Sequence, residues 1–285
     1  MEHIKDSIDI SNSELNSKSD MDTLKNNFVS VDNSSESTKE VLTTYNPTKP
    51  VIATMTLISK INANINLLNF SKYLNLSPDS IIYIKYNKNN DLIERSIDMI
   101  KVNKNKKKPK KYFYNQCTII MNCGNNSKVN LKLFLNGKIQ MTGCKSLENA
   151  TTALEKLSNE LRKEKYILSE DNELIKQELV DNTDFVMDPP QVALINSVFQ
   201  TGICINRDKL HQILITKYNI QATFQPIIYV GINSKFVASS GTKVSILIFQ
   251  TGKIIITAAK NMSDINESYE FIKKVFSENK DLILR

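Results

Sequence analysis

A pattern of twelve residues occurs twice in this chain of 285 residues, and this internal repeat constrains the fold more than any single motif. The pattern starts at Phe134 and again at Phe249, 115 residues later, and the two copies align without a gap. Six of the twelve positions are identical: Phe134, Gly137, Lys138, Ile139, Thr142 and Lys145 recur as Phe249, Gly252, Lys253, Ile254, Thr257 and Lys260. The chain therefore contains two copies of one structural unit.

Each copy has the residue pattern of a β-hairpin. Apolar side chains alternate with others on both sides of a turn, as they do in strands that bury one face. The Asn136-Gly137 pair predicts a tight turn in which both central residues adopt positive φ. The predicted strands are 129–134 with 139–142 in the first copy and 244–249 with 254–257 in the second.

A long amphipathic helix is predicted after each hairpin, because apolar residues recur there at spacings of three and four. Ser146 is the expected N-cap of the first helix and Ser263 that of the second. The inward-facing residues are Leu147, Ala150, Leu154, Leu157 and Leu161 in one helix and Ile265, Tyr269, Ile272 and Phe276 in the other.

Upstream of the hairpin, each copy opens with a strand and a shorter helix. The predicted opening strands are 51–57 and 192–205, the helices lie near 67–74 and around Leu210, Ile213 and Leu214, and middle strands fit 81–86, 117–122 and 225–230. Both copies thus have the order strand, helix, several antiparallel strands, long helix. This order predicts an α+β fold in which one continuous sheet has helices on one face and leaves the other face open.

Composition divides the chain further. Residues 1–49 contain five Lys and nine acidic residues, and they are predicted to be a disordered acidic tail, either a solubilising leader or a regulatory arm. The formal net charge is −4 for this tail and +7 for the whole chain, so the rest of the chain carries a net charge of +11. The first repeat is expected at 50–163 and the second at 191–285. The acidic linker 164–190 between them either covers part of the helical face or binds a basic partner.

Residues 88–112 have no counterpart in the second copy. Seven Lys lie between 101 and 112, and a flexible loop is predicted because like charges repel and Pro109 interrupts helices. The loop either contacts phosphates or serves nuclear targeting, or it is an ordinary solvated loop.

Composition argues against catalysis and against bound cofactors. Two His and seven Gly provide neither a His-rich metal centre nor a Gly-rich phosphate loop, and no Ser/His/Asp set or carboxylate cluster is evident. We therefore predict no enzyme activity, no cofactor and no metal. Four Cys without Cys-x-x-Cys spacing indicate reduced thiols in a cytosolic or nuclear protein. Neither an apolar run of about 18 residues nor a secretory leader is found, so membrane insertion and secretion are not expected.

The alternation also predicts which hairpin side chains lie on the open face. They are Lys132, Phe134, Gln140 and Thr142 in the first copy and Leu247, Phe249, Ile255 and Thr257 in the second. A Phe there can insert between stacked bases from the minor groove, and a Thr hydroxyl can hydrogen-bond to the acceptors of A·T pairs. Four lysines would flank this face and reach phosphates: Lys138, Lys145, Lys253 and Lys260. The alternative is that both Phe belong to the hairpin core and the lysines are ordinary surface charges.

The duplicated motif resembles the two signature hairpins of the TATA-box-binding protein family. Residues 51–57 resemble the first strand of that family, and 224–229 resemble its Phe-Pro-Gly-Leu-Ile-Tyr segment. The segments 110–118 and 136–143 look closest to the divergent TATA-binding-like proteins of large nucleocytoplasmic DNA viruses. The similarity extends over about residues 50–285.

The resemblance implies a fold and a function. The expected fold is a saddle-shaped, curved antiparallel sheet built from two tandem repeats, with the helices on its convex face. The expected function is that of a DNA-binding general transcription initiation factor. It would bind AT-rich promoter DNA in the minor groove as a monomer, bend it by Phe insertion, and recruit transcription factor IIB-like proteins and RNA polymerase subunits. The expected locations are a cytoplasmic virus factory or the nucleus of the host cell, and the virion.

The resemblance also assigns roles to individual residues. Wedge positions correspond to Phe134, Phe224 and Phe249, central threonines to Thr142 and Thr257, groove-floor positions to Leu247 and Ile255, and phosphate contacts to Lys145 and Lys260. The groove-recognising Asn corresponds best to Asn196 in the second copy, whereas Pro50 stands there in the first.

The first copy departs from the family pattern in further ways. Lys132 and Gln140 are polar at groove-floor positions, and the counterpart of Phe224 is either Pro78 or Phe113, depending on the alignment. These departures favour an alternative function, a TATA-binding-like protein-interaction module of transcription that has lost specific DNA binding.

Overall fold

The computed structural model describes residues 45–88, 91–97, 115–124 and 126–285. The predicted tail up to residue 44 and the Lys-rich run 101–112 lie outside these ranges. The strands are β1 (Val51–Lys60), β2 (Ile81–Lys88), β3 (Asp91–Ser96), β4 (Gln116–Asn122), β5 (Lys128–Phe134), β6 (Lys138–Cys144), β7 (Tyr166–Leu168), β8 (Leu174–Lys176), β9 (Gln191–Gln200), β10 (Ala222–Gln225), β11 (Tyr229–Val237), β12 (Lys243–Ile248) and β13 (Lys253–Ala259). The helices are α1 (Leu67–Tyr73), α2 (Leu147–Leu161), α3 (Arg207–Thr216) and α4 (Met262–Ile283).

Eleven of these strands form one antiparallel sheet in the order β10-β11-β12-β13-β9-β1-β6-β5-β4-β2-β3. The first repeat contributes β1 to β6 with α1 and α2, and the second contributes β9 to β13 with α3 and α4. The opening strands β1 and β9 pair with each other and join the repeats into one sheet. The α+β class and the continuous sheet of the predicted saddle are therefore confirmed.

The two repeats superimpose in hydrogen-bond register. The hairpin pair Lys132–Gln140 recurs as Leu247–Ile255, so the offset of 115 residues applies to both strands. In the opening strands the offset is 140, because the N-caps Asn66 and Asn206 start equivalent helices. Structural counterparts in the two repeats can therefore be assigned without reference to any other protein.

One face of the sheet forms the hydrophobic core with the helices. In β5, Val129, Leu131 and Leu133 are fully buried, whereas Asn130, Lys132 and Phe134 are only half-buried. The inward residues predicted for α2 and α4 are buried as well, except for Leu147, which is exposed. The face opposite the helices, called the open face below, has no protein layer over it among the described residues. None of the described helices is both long and apolar enough to cross a bilayer.

The hairpin turns differ from the predicted geometry. Gly137 N–H donates to Phe134 O at 3.0 Å, so Leu135 and Asn136 are the central residues, and of the pair Asn136-Gly137 only the glycine has positive φ. This is a three-residue hairpin loop in which the glycine occupies the left-handed position after a turn. The prediction of positive φ at both residues was wrong because the turn starts one residue earlier.

Two further local predictions were wrong. The N-cap of α4 is Asn261, whose side chain accepts from Asp264 N–H at 2.9 Å, while Ser263 lies inside the helix. The predicted strand 225–230 spans the turn between β10 and β11, because Pro226 begins three turn residues there. In both cases the true boundary lies at a polar or turn-forming residue close to the predicted one.

Segments predicted to be tail and linker pack against the sheet. Thr48 N–H donates to Gln200 O at 2.9 Å in the second repeat, and Asp188 N–H donates to Lys60 O at 2.8 Å in the first. These contacts are equivalent under the offset of 140, so 45–48 and 185–188, called the flanking segments below, are counterparts. Each repeat therefore has a flanking segment that precedes its opening strand and packs on the other repeat.

The described part of the predicted insert includes regular structure. β3 pairs with β2 at the edge of the first repeat, and the Arg95 guanidinium donates to Ser71 O and Lys72 O at 3.0 and 2.9 Å. These carbonyls belong to the last turn of α1, whose carbonyl groups have no partner within the helix. The insert 88–112 therefore begins with an ordered strand, whereas the Lys cluster 101–112, for which a flexible loop was predicted, lies outside the described residues.

Candidate nucleic-acid interface

The open face brings together the hairpin residues that the alternation assigned to it. Lys132, Phe134, Gln140 and Thr142 are half-buried in the first repeat, and Leu247, Phe249, Ile255 and Thr257 are half-buried in the second. The side chains between them point into the core. Half-burial on a face that no helix covers means that these side chains contact their strand neighbours and remain accessible.

A polar cluster lies at the centre of the open face, where the two repeats meet. Thr257 Oγ1 donates to Asn196 Oδ1 at 2.5 Å, and Asn196 Nδ2 donates to Thr54 Oγ1 at 3.1 Å. The counterpart of Asn196 in the first repeat is Thr56, not Pro50, because the opening strands are related by the offset of 140. Pro50 precedes β1 and does not lie in the strand.

An aromatic pair stands at the outer side of the second repeat. The rings of Phe249 and Tyr229 are in edge-to-face contact, with centroids 5.9 Å apart. Beneath them lies Gly231, where a Cβ would come within 3.0 Å of Tyr229 Cε1 and 3.2 Å of Phe249 Cε1. Burial raises the pKa of Tyr229 to about 12, so its hydroxyl stays protonated at neutral pH. Sequence reasoning missed Tyr229, although the offset of 115 pairs it with Tyr114.

A family model for "Transcription factor TFIID (or TATA-binding protein, TBP)" matches residues 93–164 and 192–279, more than half of the chain. The chain belongs to the TATA-binding protein family. The two matched segments fall in the first and second repeats and leave out β7 and β8.

Curated relatives agree with this family assignment, and a solved structure has a similar fold. A mimivirus "TATA-box-binding protein-like" from Acanthamoeba polyphaga mimivirus is 37% identical over 79% of this chain. The chain spans 64% of the length of that relative. A "TATA-box-binding protein" of Methanococcus maripaludis is 29% identical over 53% of this chain and 70% of its own length. The fold matches Methanococcus jannaschii TBP with a TM-score of 0.50 and 20% identity, covering 81% of this chain and 99% of that one.

Of the three wedge candidates, Phe134 and Phe249 lie on the open face, but Phe224 does not. Its neighbour Thr223 pairs with Asn233 on the open face, so Phe224 points to the helices. There the Arg207 guanidinium carbon lies 5.0 Å from its ring centroid, and the His211 ring lies 6.1 Å away. The predicted placement of Phe224 was wrong because a match of residue types does not determine which side of an outer strand a residue faces.

The register also assigns the counterpart of Phe224 in the first repeat. Lys85 pairs with Thr118 as Thr223 pairs with Asn233, which makes Tyr86 the counterpart. Tyr86 is buried on the helix side. Of the two predicted alternatives, Pro78 precedes β2 and Phe113 lies outside the described residues.

The four predicted phosphate-binding lysines occupy two equivalent pairs of positions. Lys138 and Lys253 are the first residues of β6 and β13, and Lys145 and Lys260 lie between those strands and the helices that follow. Three are exposed and Lys253 is half-buried. The Lys260 N–H donates to Asp264 Oδ2 at 2.9 Å, which fixes the backbone while the side chain stays accessible.

An acidic group on the open face was missed by sequence reasoning. Tyr83 O–H donates to Glu94 Oε1 at 2.7 Å, and Lys85 Nζ lies 3.3 Å from Glu94 Oε2. Burial, with the hydrogen bond to this carboxylate, raises the pKa of Tyr83 well above its usual range. From the sequence, Glu94 was assigned only to the insert 88–112 and to no strand, whereas in the structure it belongs to β3.

The thiols and acidic groups offer no site of a different kind among the described residues. No group of three or more His, Cys, Asp or Glu there could hold a metal ion. All four cysteines are free thiols, and burial raises the pKa of Cys117 to about 12 and that of Cys144 to about 11. These two thiols are therefore poor nucleophiles at neutral pH.

Proposed function

We propose that this protein is a DNA-binding transcription initiation factor that binds AT-rich promoter DNA in the minor groove and bends it by inserting Phe134 and Phe249. The observation that carries the proposal is the open face of the continuous sheet, on which each repeat presents one accessible Phe at an equivalent hairpin end. Side chains of this kind wedge between base steps and kink the duplex.

The centre of the open face supports minor-groove contact. Thr142 and Thr257 lie next to the junction of the repeats, and Asn196 adds an amide. Hydroxyl and amide groups can donate to the N3 and O2 acceptors that A·T pairs display in the minor groove. In the second repeat, Leu247 and Ile255 provide an apolar surface against the groove floor.

The lysines Lys138, Lys145, Lys253 and Lys260 are proposed to contact phosphates, so binding should weaken as salt rises. Family membership supports recruitment of a transcription factor IIB-like protein and RNA polymerase subunits by the bound monomer. The mimivirus relative supports a role in viral transcription, in a cytoplasmic virus factory or in the nucleus of the host cell.

A bend assay tests the proposal. Fluorescence energy transfer between the ends of an AT-rich duplex should rise when the parent protein binds, and less so at higher salt. Phe134→Ala and Phe249→Ala should each remove most of this change. Tyr166→Ala, which removes an exposed aromatic ring from the β7–β8 hairpin, is the matched control and should bend DNA as the parent does. Bending by both Phe variants at the parental level would refute insertion.

The alternative function is a protein-interaction module of transcription without specific DNA binding. Lys132 and Gln140 at groove-floor positions and the carboxylate of Glu94 on the open face favour it. This alternative predicts that the parent bends no duplex at low salt but still binds a transcription factor IIB-like protein.

A further inference from the structure

The two repeats present different chemistry at structurally equivalent positions of the open face. A row of four residues crosses each repeat in hydrogen-bond register. In the second repeat the row is Asn233, Leu247, Ile255 and Val198, and in the first it is Thr118, Lys132, Gln140 and Ile58. The outer ends are polar in both rows and the inner ends are apolar in both. The difference therefore lies in the two middle positions.

The middle positions of the second repeat, Leu247 and Ile255, suit a minor groove whose base pairs display no hydrogen-bond donor. An A·T pair presents only acceptors in the minor groove, whereas a G·C pair adds the N2 amino group of guanine as a donor. Leu247 and Ile255 have no acceptor to offer. An amino group pressed against them would lose its hydrogen bonds to water without replacement, which is costly.

The middle positions of the first repeat suit either base pair. Gln140 Oε1 can accept from the guanine amino group, while Gln140 Nε2 and Lys132 Nζ can donate to the acceptors that both kinds of pair display. The two side chains are directly opposite each other on neighbouring strands, so they would face the same base step.

We propose that the two halves of the DNA site differ: the half under the first repeat accepts G·C pairs, and the half under the second requires A·T pairs. This inference rests on the proposed minor-groove function. It makes Lys132 and Gln140 specificity-determining residues, and it gives the complex a direction on asymmetric DNA.

Three duplexes test the inference: a palindromic A·T duplex, the same duplex with G·C pairs in one half, and one with G·C pairs in both halves. The protein can bind a duplex in either orientation. The parent should therefore bind the second duplex within a few-fold of the first, with its first repeat over the G·C half. The third duplex should bind at least about tenfold more weakly, which corresponds to one ordinary base-pair mismatch.

Exchange of the middle positions between the repeats sharpens the test. Lys132→Leu with Gln140→Ile should bind the duplex with one G·C half about tenfold more weakly than the A·T duplex, whereas the parent binds the two within a few-fold. Leu247→Lys with Ile255→Gln should instead recover binding to the duplex with two G·C halves. The matched control, Lys274→Leu with Gln212→Ile, makes the same changes on helices α4 and α3 and should behave as the parent.

The possible failures are distinguishable. If the parent binds the A·T duplex but loses equally with one or two G·C halves, the inference is overturned and the proposed function stands. The same conclusion follows if the first exchange leaves all three affinities at the parental ratios. If the parent binds none of the duplexes at low salt, the proposed function itself fails, and the inference fails with it.

Discussion

The two repeats share a backbone but not a surface. Their hairpins superimpose in register, both turn glycines have φ near 80°, and both opening strands lead into a helix capped by Asn. On the open face, however, Lys132 and Gln140 of the first repeat stand where the second has Leu247 and Ile255.

This difference separates two kinds of constraint. Residues that the backbone approaches closely, or that fill the core, have the same character in both repeats because the fold depends on them. The open-face side chains pack on no helix, so their chemistry can change without loss of the fold. Differences confined to that face therefore report on what the face binds.

The largest expected effect tests the shared backbone. A Cβ at Gly137 would lie 2.4 Å from Ala63 O, and one at Gly252 would lie 2.3 Å from Ile203 O, while both residues have positive φ. Gly137→Ala and Gly252→Ala should each lower the free energy of unfolding by about 3 kcal/mol or more, measured by urea denaturation.

The matched control is Gly241→Ala, where φ is equally positive but no atom lies within 4 Å of the added Cβ. It should lower the free energy of unfolding by only about 1 kcal/mol, because alanine at positive φ is unfavourable even where the added Cβ meets no other atom. Tolerance of alanine at only one of the two turn glycines would show that the repeats do not share this backbone constraint.

The next effect concerns the flanking segments, which the repeats hold by different contacts. Arg162 donates to Phe185 O at 2.7 Å and lies 4.1 Å over the Phe185 ring, whereas the counterpart Tyr45 stacks on Phe276 with centroids 6.0 Å apart. Arg162→Met should lower the free energy of local opening of 185–188 by about 1–2 kcal/mol, and it should leave the amides of 45–48 protected from hydrogen exchange. Tyr45→Ala should do the reverse.

Hydrogen exchange followed by mass spectrometry would measure both segments in one experiment. The amide of Asp188, which donates to Lys60 O, reports on one segment, and that of Thr48, which donates to Gln200 O, reports on the other. Equal loss of protection in both segments for either variant would mean that they open together.

The caps of the long helices give a smaller effect. Ser146 accepts from Asn149 N–H at 3.3 Å and Asn261 from Asp264 N–H at 2.9 Å. Ser146→Ala and Asn261→Ala should each cost about 1 kcal/mol in thermal or urea unfolding. Ser263→Ala, at the position that the sequence suggested, should stay within about 0.5 kcal/mol. A larger cost at Ser263 than at Asn261 would contradict the observed cap.

The smallest effect concerns a bulge near the end of the hairpin. Gly143 has φ of 82° in the first repeat, and its counterpart Ala258 has φ of 66° in the second. Ala258→Gly should relieve strain and stabilise the protein by up to about 1 kcal/mol, and Gly143→Ala should have the opposite effect. Stabilisation by both substitutions, or by neither, would show that the two bulges are not equivalent.

The face on which a residue lies can be predicted from the sequence when its neighbours in the chain determine it, but not when the pairing of distant strands does. The alternation around Phe134 and Phe249 placed both on the open face, because a strand residue's side is set by its immediate neighbours. Phe224 was assigned to the same face by similarity, yet the pairing of Thr223 with Asn233 turns it towards Arg207. The contact of Tyr229 with Phe249 depends on the pairing of two strands, so the residues next to either ring in the chain do not reveal it.

The sequence by itself determined the duplicated unit, its order of strands and helices, and the outward side of each hairpin. Periodicity and turn glycines act over a few residues, so they are visible along the chain. Only the tertiary structure decided the pairing of β1 with β9, the contact of Asn196 with Thr54, and the packing of the flanking segments. These contacts join residues more than a hundred positions apart, and their energy depends on the folded arrangement of both repeats.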